Sequence, residues 1–231
     1  MIYHDIPQKS VEWFTARLGL ATASCFDKII TPAKCELSKS SSAYANQLIG
    51  EMITRENTEK FENYWMERGI ETEDEAAASY QAIVDCELDR GGFLTNDAMT
   101  IGASPDRRIV SGGKVVGGVE IKCPSPGVHI ANLKRGAIDP CYIPQVQGQM
   151  LIGGFEFVDW FSYHPAMLPV LIRIHRDDEY CAKLEGALAA FIEQIEDTIS
   201  QLKSIGQTIP PRPLHDMYNK LTREQPDYLA A

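Results

Sequence analysis

Val119-Glu120-Ile121-Lys122-Cys123-Pro124 is the stretch that decides how this chain is read. Side chains on a strand alternate between faces, so Glu120 and Lys122 point one way and Ile121 points back. A carboxylate and an ammonium then stand side by side, with the Ile121 carbonyl between them as a third oxygen ligand. Asp106 lies fourteen positions upstream, in Gly102-Ala103-Ser104-Pro105-Asp106. On a neighbouring strand it brings a second carboxylate to the same spot. Two hard anionic ligands and one cation can hold a divalent metal beside a phosphodiester.

The intervening turn tests this. Ser111-Gly112-Gly113-Lys114 is a hairpin signal between residues 107–110 and 115–116. A loop centred on Gly113 sets Asp106 opposite Glu120, on the same face. A loop centred between Gly112 and Gly113 sets Asp106 opposite Val119, and the carboxylates diverge, because a one-residue slip flips every side chain. The chemistry requires the first register, or a bulge at Gly117-Gly118.

Outward from this hairpin, helices are predicted over residues 10–17, from Thr22 or Ser24 to Ile30, over 42–55, 64–85, 128–135 and 144–153, and over 177–205. Strands are predicted at 92–95, 99–102, 106–110, 115–122, 155–163 and 168–174. The fold class is α/β, with a central mixed β-sheet flanked by helices, in one domain over 1–205. Residues 206–231, opening with a Pro-rich stretch, read as a loosely attached tail.

The chain has 231 residues, 44% hydrophobic and 23% charged, which suits a soluble globular protein. No signal peptide or membrane-length apolar run is seen, and a cytoplasmic location is expected. The six cysteines are scattered without C-x2-C spacing, which speaks against a zinc or iron–sulfur site. The net charge of −10 opposes nucleic-acid binding. Much of the acid sits in residues 51–87, however, and a local basic channel can coexist with an acidic exterior.

Asp106 and Glu120 supply oxygen ligands suited to Mg²⁺ or Mn²⁺. Lys122 can orient or help deprotonate an attacking water, or stabilise transition-state charge. Glu73, four residues after Gly69 on the long helix, is a candidate third acid. Gln145 is the choice for the active site from the amides Gln145, Gln147 and Gln149, with Tyr142 beside it. Each motif alone has an ordinary structural reading: a solvated strand face, a turn, a surface glutamate. Their order and spacing together favour the catalytic one.

The chain resembles the bacteriophage-lambda-type exonucleases, or YqaJ-like viral recombinases, of the PD-(D/E)XK nuclease superfamily. The similarity runs over about residues 13–195. It is carried by Arg17-Leu18-Gly19-Leu20-Ala21-Thr22-Ala23-Ser24, Gly69-x-x-x-Glu73, Ser104-Pro105-Asp106, Glu120-Ile121-Lys122-Cys123-Pro124 and Tyr142-Ile143-Pro144-Gln145-Val146-Gln147, in the family's order.

The resemblance implies a restriction-endonuclease-like core and a Mg²⁺-dependent 5′→3′ exonuclease, with Mn²⁺ able to substitute. Such an enzyme processively digests one strand of linear duplex DNA to mononucleotides. It implies two ions per site, held by Asp106, Glu120, the Ile121 carbonyl and Glu73, with Lys122 as the catalytic lysine. Arg17, Ser24 and Ser104 match a pocket for the 5′-phosphate, and Met66 matches an apolar wedge between terminal base pairs. A ring-shaped homotrimer and a single-strand annealing partner are also implied. Two departures stand out: Met66-Glu67-Arg68 precedes Gly69 where the family has an aromatic, and the loop lysines Lys34 and Lys39 align poorly. The alternatives are a structure-specific or restriction-type endonuclease on the same fold, and a DNA-binding recombination module without catalysis.

Overall fold

A computed structural model describes residues 1–57 and 64–224, with side chains at 1–57 and 72–220. Nine strands run in chain order: β1 (Ile2–His4), β2 (Ala21–Thr22), β3 (Glu87–Arg90), β4 (Phe93–Thr95), β5 (Ile101–Ala103), β6 (Arg107–Ser111), β7 (Lys114–Lys122), β8 (Phe157–Ser162) and β9 (Val170–His175). The α-helices are α1 (Val11–Arg17), α2 (Phe26–Ile29), α3 (Ser41–Thr54), α4 (Tyr64–Val84), α5 (Pro126–Arg135), α6 (Ile143–Gly153), α7 (Asp178–Ser204) and α8 (Pro213–Glu224).

The expected sheet is divided in two. A five-stranded mixed sheet has the order β3-β6-β7-β8-β9, and a smaller mixed one the order β1-β4-β5-β2. The chain changes sheets three times, between β2 and β3 and then at Gly91-Gly92 and at Ser104-Pro105-Asp106, and the last two connections touch. A Cβ on Gly91 would lie 1.6 Å from the Pro105 carbonyl oxygen, so only glycine fits. Pro105 has no N–H to offer a ladder, which suits a break between strands.

The hairpin resolves its register through a bulge. Gly112 and Gly113 have φ of +58° and +76°, forming a two-residue turn that pairs Ser111 with Lys114 and Val110 with Val115. That is the register in which the carboxylates diverge. The pairing shifts between Ile109 and Val110, so Ile109 faces Gly117 and Arg107 faces Val119. The extra residue is Val116, one position before the expected bulge, and the shift restores Asp106 to the level of Glu120.

Helices cover both faces of the large sheet. On one face, Ala76, Ala77 and Tyr80 of α4 pack with Ile109, Val119, Ile121 and Phe161. The main core joins α2, α3, α6 and α7. Cys181, Leu184, Leu188, Phe191, Ile195 and Ile199 form a buried stripe at helical spacing along α7. The Asp177 carboxylate caps its first turn by accepting from Tyr180 N–H at 2.9 Å.

Three local expectations change. The helix placed over 22–30 is a short strand, a single 3₁₀ turn at Ala23–Cys25 and the four-residue α2. Strands β1 and β3 arise where none was expected; each is short, and their apolar alternation is too brief to register. The described part of the supposed tail, residues 206–224, is anchored: Arg212 and Leu214 are buried, and α8 packs against α1. Its Pro-rich lead-in masks the helix from a compositional reading.

Candidate active site

Lys122 and Glu120 share a face of β7, as strand alternation requires. Lys122 Nζ donates to Glu120 Oε1 at 2.6 Å and to Gln145 Oε1 at 3.3 Å. Gln145 Nε2 donates back to Glu120 Oε1 at 2.7 Å. Tyr142, which leads into α6, sets its ring 4.8 Å from Lys122 Nζ, a cation–π distance. Glu120 is buried, whereas the Lys122 side chain keeps 24% of its surface. Burial works to lower the Lys122 pKa, but Glu120 and Asp106 outweigh it and hold the ammonium above the usual lysine range.

Asp106 comes to the same place by a different route. Where β6 parts from β7, its side chain takes over the ladder: Oδ2 accepts from Ile121 N–H at 2.6 Å. The N–H and C=O of one strand residue lie on the same edge, so the Ile121 carbonyl also opens toward Asp106. Burial, then Glu120, then Glu73 push the Asp106 carboxyl well above the usual range. The site gathers more negative charge than Lys122 neutralises.

Glu73 is close enough to act on Asp106, but its oxygens are engaged. Lys9 binds Oε2, and Arg107 donates to Oε1 at 3.1 Å. Among the described residues no three His, Cys, Asp or Glu side chains form a metal-binding group. The arrangement present is two carboxylates and a carbonyl, with Glu73 held aside. A cleft of about 490 Å³ opens beside Asp106, lined by Gln8, Lys9, Glu73, Arg90 and Arg107 among others.

Gln149 was not singled out for the site, and it belongs there. It lies one helical turn after Gln145 on α6, and its amide donates to Glu120 Oε2 at 2.6 Å from a buried position. The i, i+4 spacing puts both amides on one face of the helix, a signal that acquires meaning once Glu120 is seen beneath that face. Gln147 faces the other way, donating to His175 O at 3.0 Å and accepting from Asp177 N–H at 3.1 Å. Gln149 Oε1 and Trp160 Nε1 are buried without a partner among the described residues. Trp160 sits directly across from Glu120 in the β7–β8 ladder, so both orphaned atoms border the site.

The second cluster lies at the end of α1. The Arg17 guanidinium stacks 4.1 Å over the Trp13 ring. Its Nη2 donates to Thr22 Oγ1 and Ser24 Oγ, each at 3.2 Å. Thr22 therefore joins Arg17 and Ser24, a hydroxyl that the sequence offered only as a helix start. The helix following Ser24 is too short for a useful dipole, so the cluster draws on side chains. Ser104 is one step removed: it accepts from Trp13 Nε1 at 2.9 Å and donates to Gly92 O at 2.6 Å. Its hydroxyl proton is committed to backbone, and it supports the tryptophan beneath Arg17. Ser104 lies two positions before Asp106, a span of at most about 7 Å. The Met66 side chain, assigned to the wedge, lies outside the described residues.

This architecture, with its acidic hairpin edge and covering amide helix, is restriction-endonuclease-like. A profile of the YqaJ-like viral recombinase domain matches residues 12–156. The chain belongs to that family. It is similar to an alkaline exonuclease (LHK-Exo) from Laribacter hongkongensis, at 32% identity over 84% of this chain and 97% of that one, with a TM-score of 0.75. A structure of LHK-Exo in complex with dAMP matches at 33% identity over the same shares, also with a TM-score of 0.75. A phage-related exonuclease from Haemophilus somnus 129PT shares the fold at 16% identity, covering 79% of this chain and 96% of that one, with a TM-score of 0.63. No curated protein matches the chain. No helix among the described residues is long and apolar enough to cross a membrane.

Proposed function

We propose that this protein is a DNA exonuclease that digests one strand of linear duplex from a 5′-phosphorylated end, releasing mononucleotides and leaving 3′ single strand for recombination. The observation that carries it is the convergence of Asp106, Glu120 and Lys122, two residues along the chain from a support of the Arg17 cluster. The similarity to LHK-Exo supports the reaction class.

Mg²⁺, with Mn²⁺ as a substitute, fits the donor set: the buried Glu120 carboxylate, the partly buried Asp106 carboxylate and a strand carbonyl, all hard oxygens, in a site short of positive charge. Asp106, Glu120 and the Ile121 carbonyl would hold it. When bound, the ion supplies Lewis acidity toward the phosphoryl group and lowers the pKa of a coordinated water. Lys122 contributes a fixed cation toward the crowded phosphoryl oxygens, and Gln145 and Gln149 keep Glu120 oriented. Arg17 with Thr22 and Ser24 anchors a terminal phosphate, so each cut creates the next anchored end. A second ion would require Glu73 to leave Lys9 and Arg107. A homotrimeric ring, processive digestion and a single-strand annealing partner, as the family resemblance implies, complete the proposal.

Digestion of linear duplex labelled at either end, with and without Mg²⁺ and with each 5′ end blocked in turn, tests it. Metal-dependent loss of label from the 5′ end is expected. Cleavage of closed circular duplex would favour an endonuclease, and no cleavage at all a binding module.

A further inference from the structure

We propose that Arg212, in the segment beyond the family match, is a positioning residue for the end-recognition cluster. It clamps the turn from which Arg17 enters the site. This rests on the end-anchored reading of Arg17 and Ser24.

Arg212 is 5% exposed. Its Nε donates to Gly19 O at 3.0 Å, and its Nη2 donates to Glu196 Oε1 on α7, also at 3.0 Å. Gly19 has φ +73°, and a Cβ there would fall 2.3 Å from Met52 Cγ, so the turn is tight against α3. From that side Glu51 Oε2 accepts from Gly19 N–H at 3.3 Å. The peptide groups of this one residue are therefore held by α3 on the N–H and by Arg212 on the C=O. Arg17 lies two residues before Gly19, and Thr22 and Ser24 follow it. The turn sets how the guanidinium meets the two hydroxyls.

The packing beneath agrees. Leu214 of α8 is buried with Ile6, Ala16, Leu20 and Phe93, and Trp13 and Met217 pack against them. The same Trp13 carries the Arg17 guanidinium on its ring. A buried arginine is a poor choice if stability alone is served, since an apolar side chain of similar volume often does as well. A charge-assisted donor fixed between a carbonyl and a carboxylate gives geometry instead.

The test uses the full chain and initial rates on blunt linear duplex carrying either a 5′-phosphate or a 5′-hydroxyl. Equal wild-type rates on the two would overturn the end-anchor reading itself, whatever Arg212 does. Given wild-type preference for phosphate, Arg212→Gln should lower the phosphate-to-hydroxyl ratio at least about fivefold, because small displacements of a positioning group cost rate steeply. The Arg17→Ala/Arg212→Gln double variant should fall no further than Arg17→Ala alone, as expected for residues acting as one unit. A proportional loss on both substrates, with the ratio unchanged, would overturn the inference. If Arg212→Gln does not fold, Arg212→Lys decides. It keeps the charge but cannot reach both acceptors, so its ratio should still drop, and a wild-type ratio overturns the proposal.

Discussion

The two clusters that make up the candidate site are built in opposite ways. The Asp106–Glu120–Lys122 edge is held by strand register: a hairpin, one bulge and two amides from a single helix. The Arg17 cluster is held by packing between distant segments, with Trp13 beneath, Ser104 behind it and Arg212 at the turn. A register-built site tolerates change around it but not within it. A packing-built site can be loosened from far away. The following substitutions separate the two.

The largest effect is expected inside the hairpin edge. Lys122→Ala and Glu120→Gln should each lower the rate on duplex DNA by at least about 10²–10³-fold at unchanged DNA affinity, measured by single-turnover kinetics. Full activity in either would remove this edge from the chemistry. Next is Gly91→Ala, which touches neither cluster directly but drives a methyl group into the Pro105 carbonyl. It should displace both Ser104 and Asp106, cutting activity on hydroxyl ends by about 10²-fold and on phosphorylated ends further, because the support of the Arg17 cluster moves as well. Loss confined to one kind of end would show that the clusters are independent of this crossing.

Arg17→Ala should act on one side only. A loss of about tenfold or more is expected on 5′-phosphorylated duplex, with little change on 5′-hydroxyl duplex. Gln149→Leu should raise the Mg²⁺ concentration for half-maximal rate by about tenfold, the usual scale for removing a partner of a metal-binding carboxylate, and leave end preference intact. A shift in end preference instead would join the two clusters energetically.

The smallest effect concerns stability. The Asp106 carboxyl is pushed up by burial, Glu120 and Glu73. A carboxylate whose pKa is higher folded than unfolded is most tolerable at low pH and costs stability as pH rises through its folded value. Asp106→Asn, which can still accept from Ile121 N–H, should therefore raise the metal-free melting temperature by roughly 2–4 °C at neutral pH and less at acid pH. The half-saturating Mg²⁺ concentration for the wild type should climb as pH falls, since protons and the cation compete for Asp106. A melting temperature unchanged at every pH would mean that the three carboxylates do not repel.

The same contrast explains what the sequence disclosed. Glu120, Lys122 and Asp106 were legible because strand alternation and hairpin length are local rules, and even the bulge was anticipated to within one residue. Gln145 was readable as part of a run. Gln149 was passed over because amides on a helix spread around the axis, and the link between positions 145 and 149 emerges only once Glu120 lies beneath them. Thr22 reads as a helix start because Ser and Thr serve caps and anion sites equally well. Arg212 was invisible for a plainer reason: its partner, Gly19, lies at the other end of the chain, and no local pattern records such a contact. The division into two sheets was hidden as well, since Gly91 and Pro105 read as ordinary turns until their contact is seen.

Soaking crystals of the protein with Mn²⁺ and collecting anomalous diffraction tests the central claim most directly. The expected result is a peak bonded to Asp106, Glu120 and the Ile121 carbonyl, lost in Glu120→Gln. Full manganese occupancy elsewhere, with Lys122 still closed on Glu120, would contradict it.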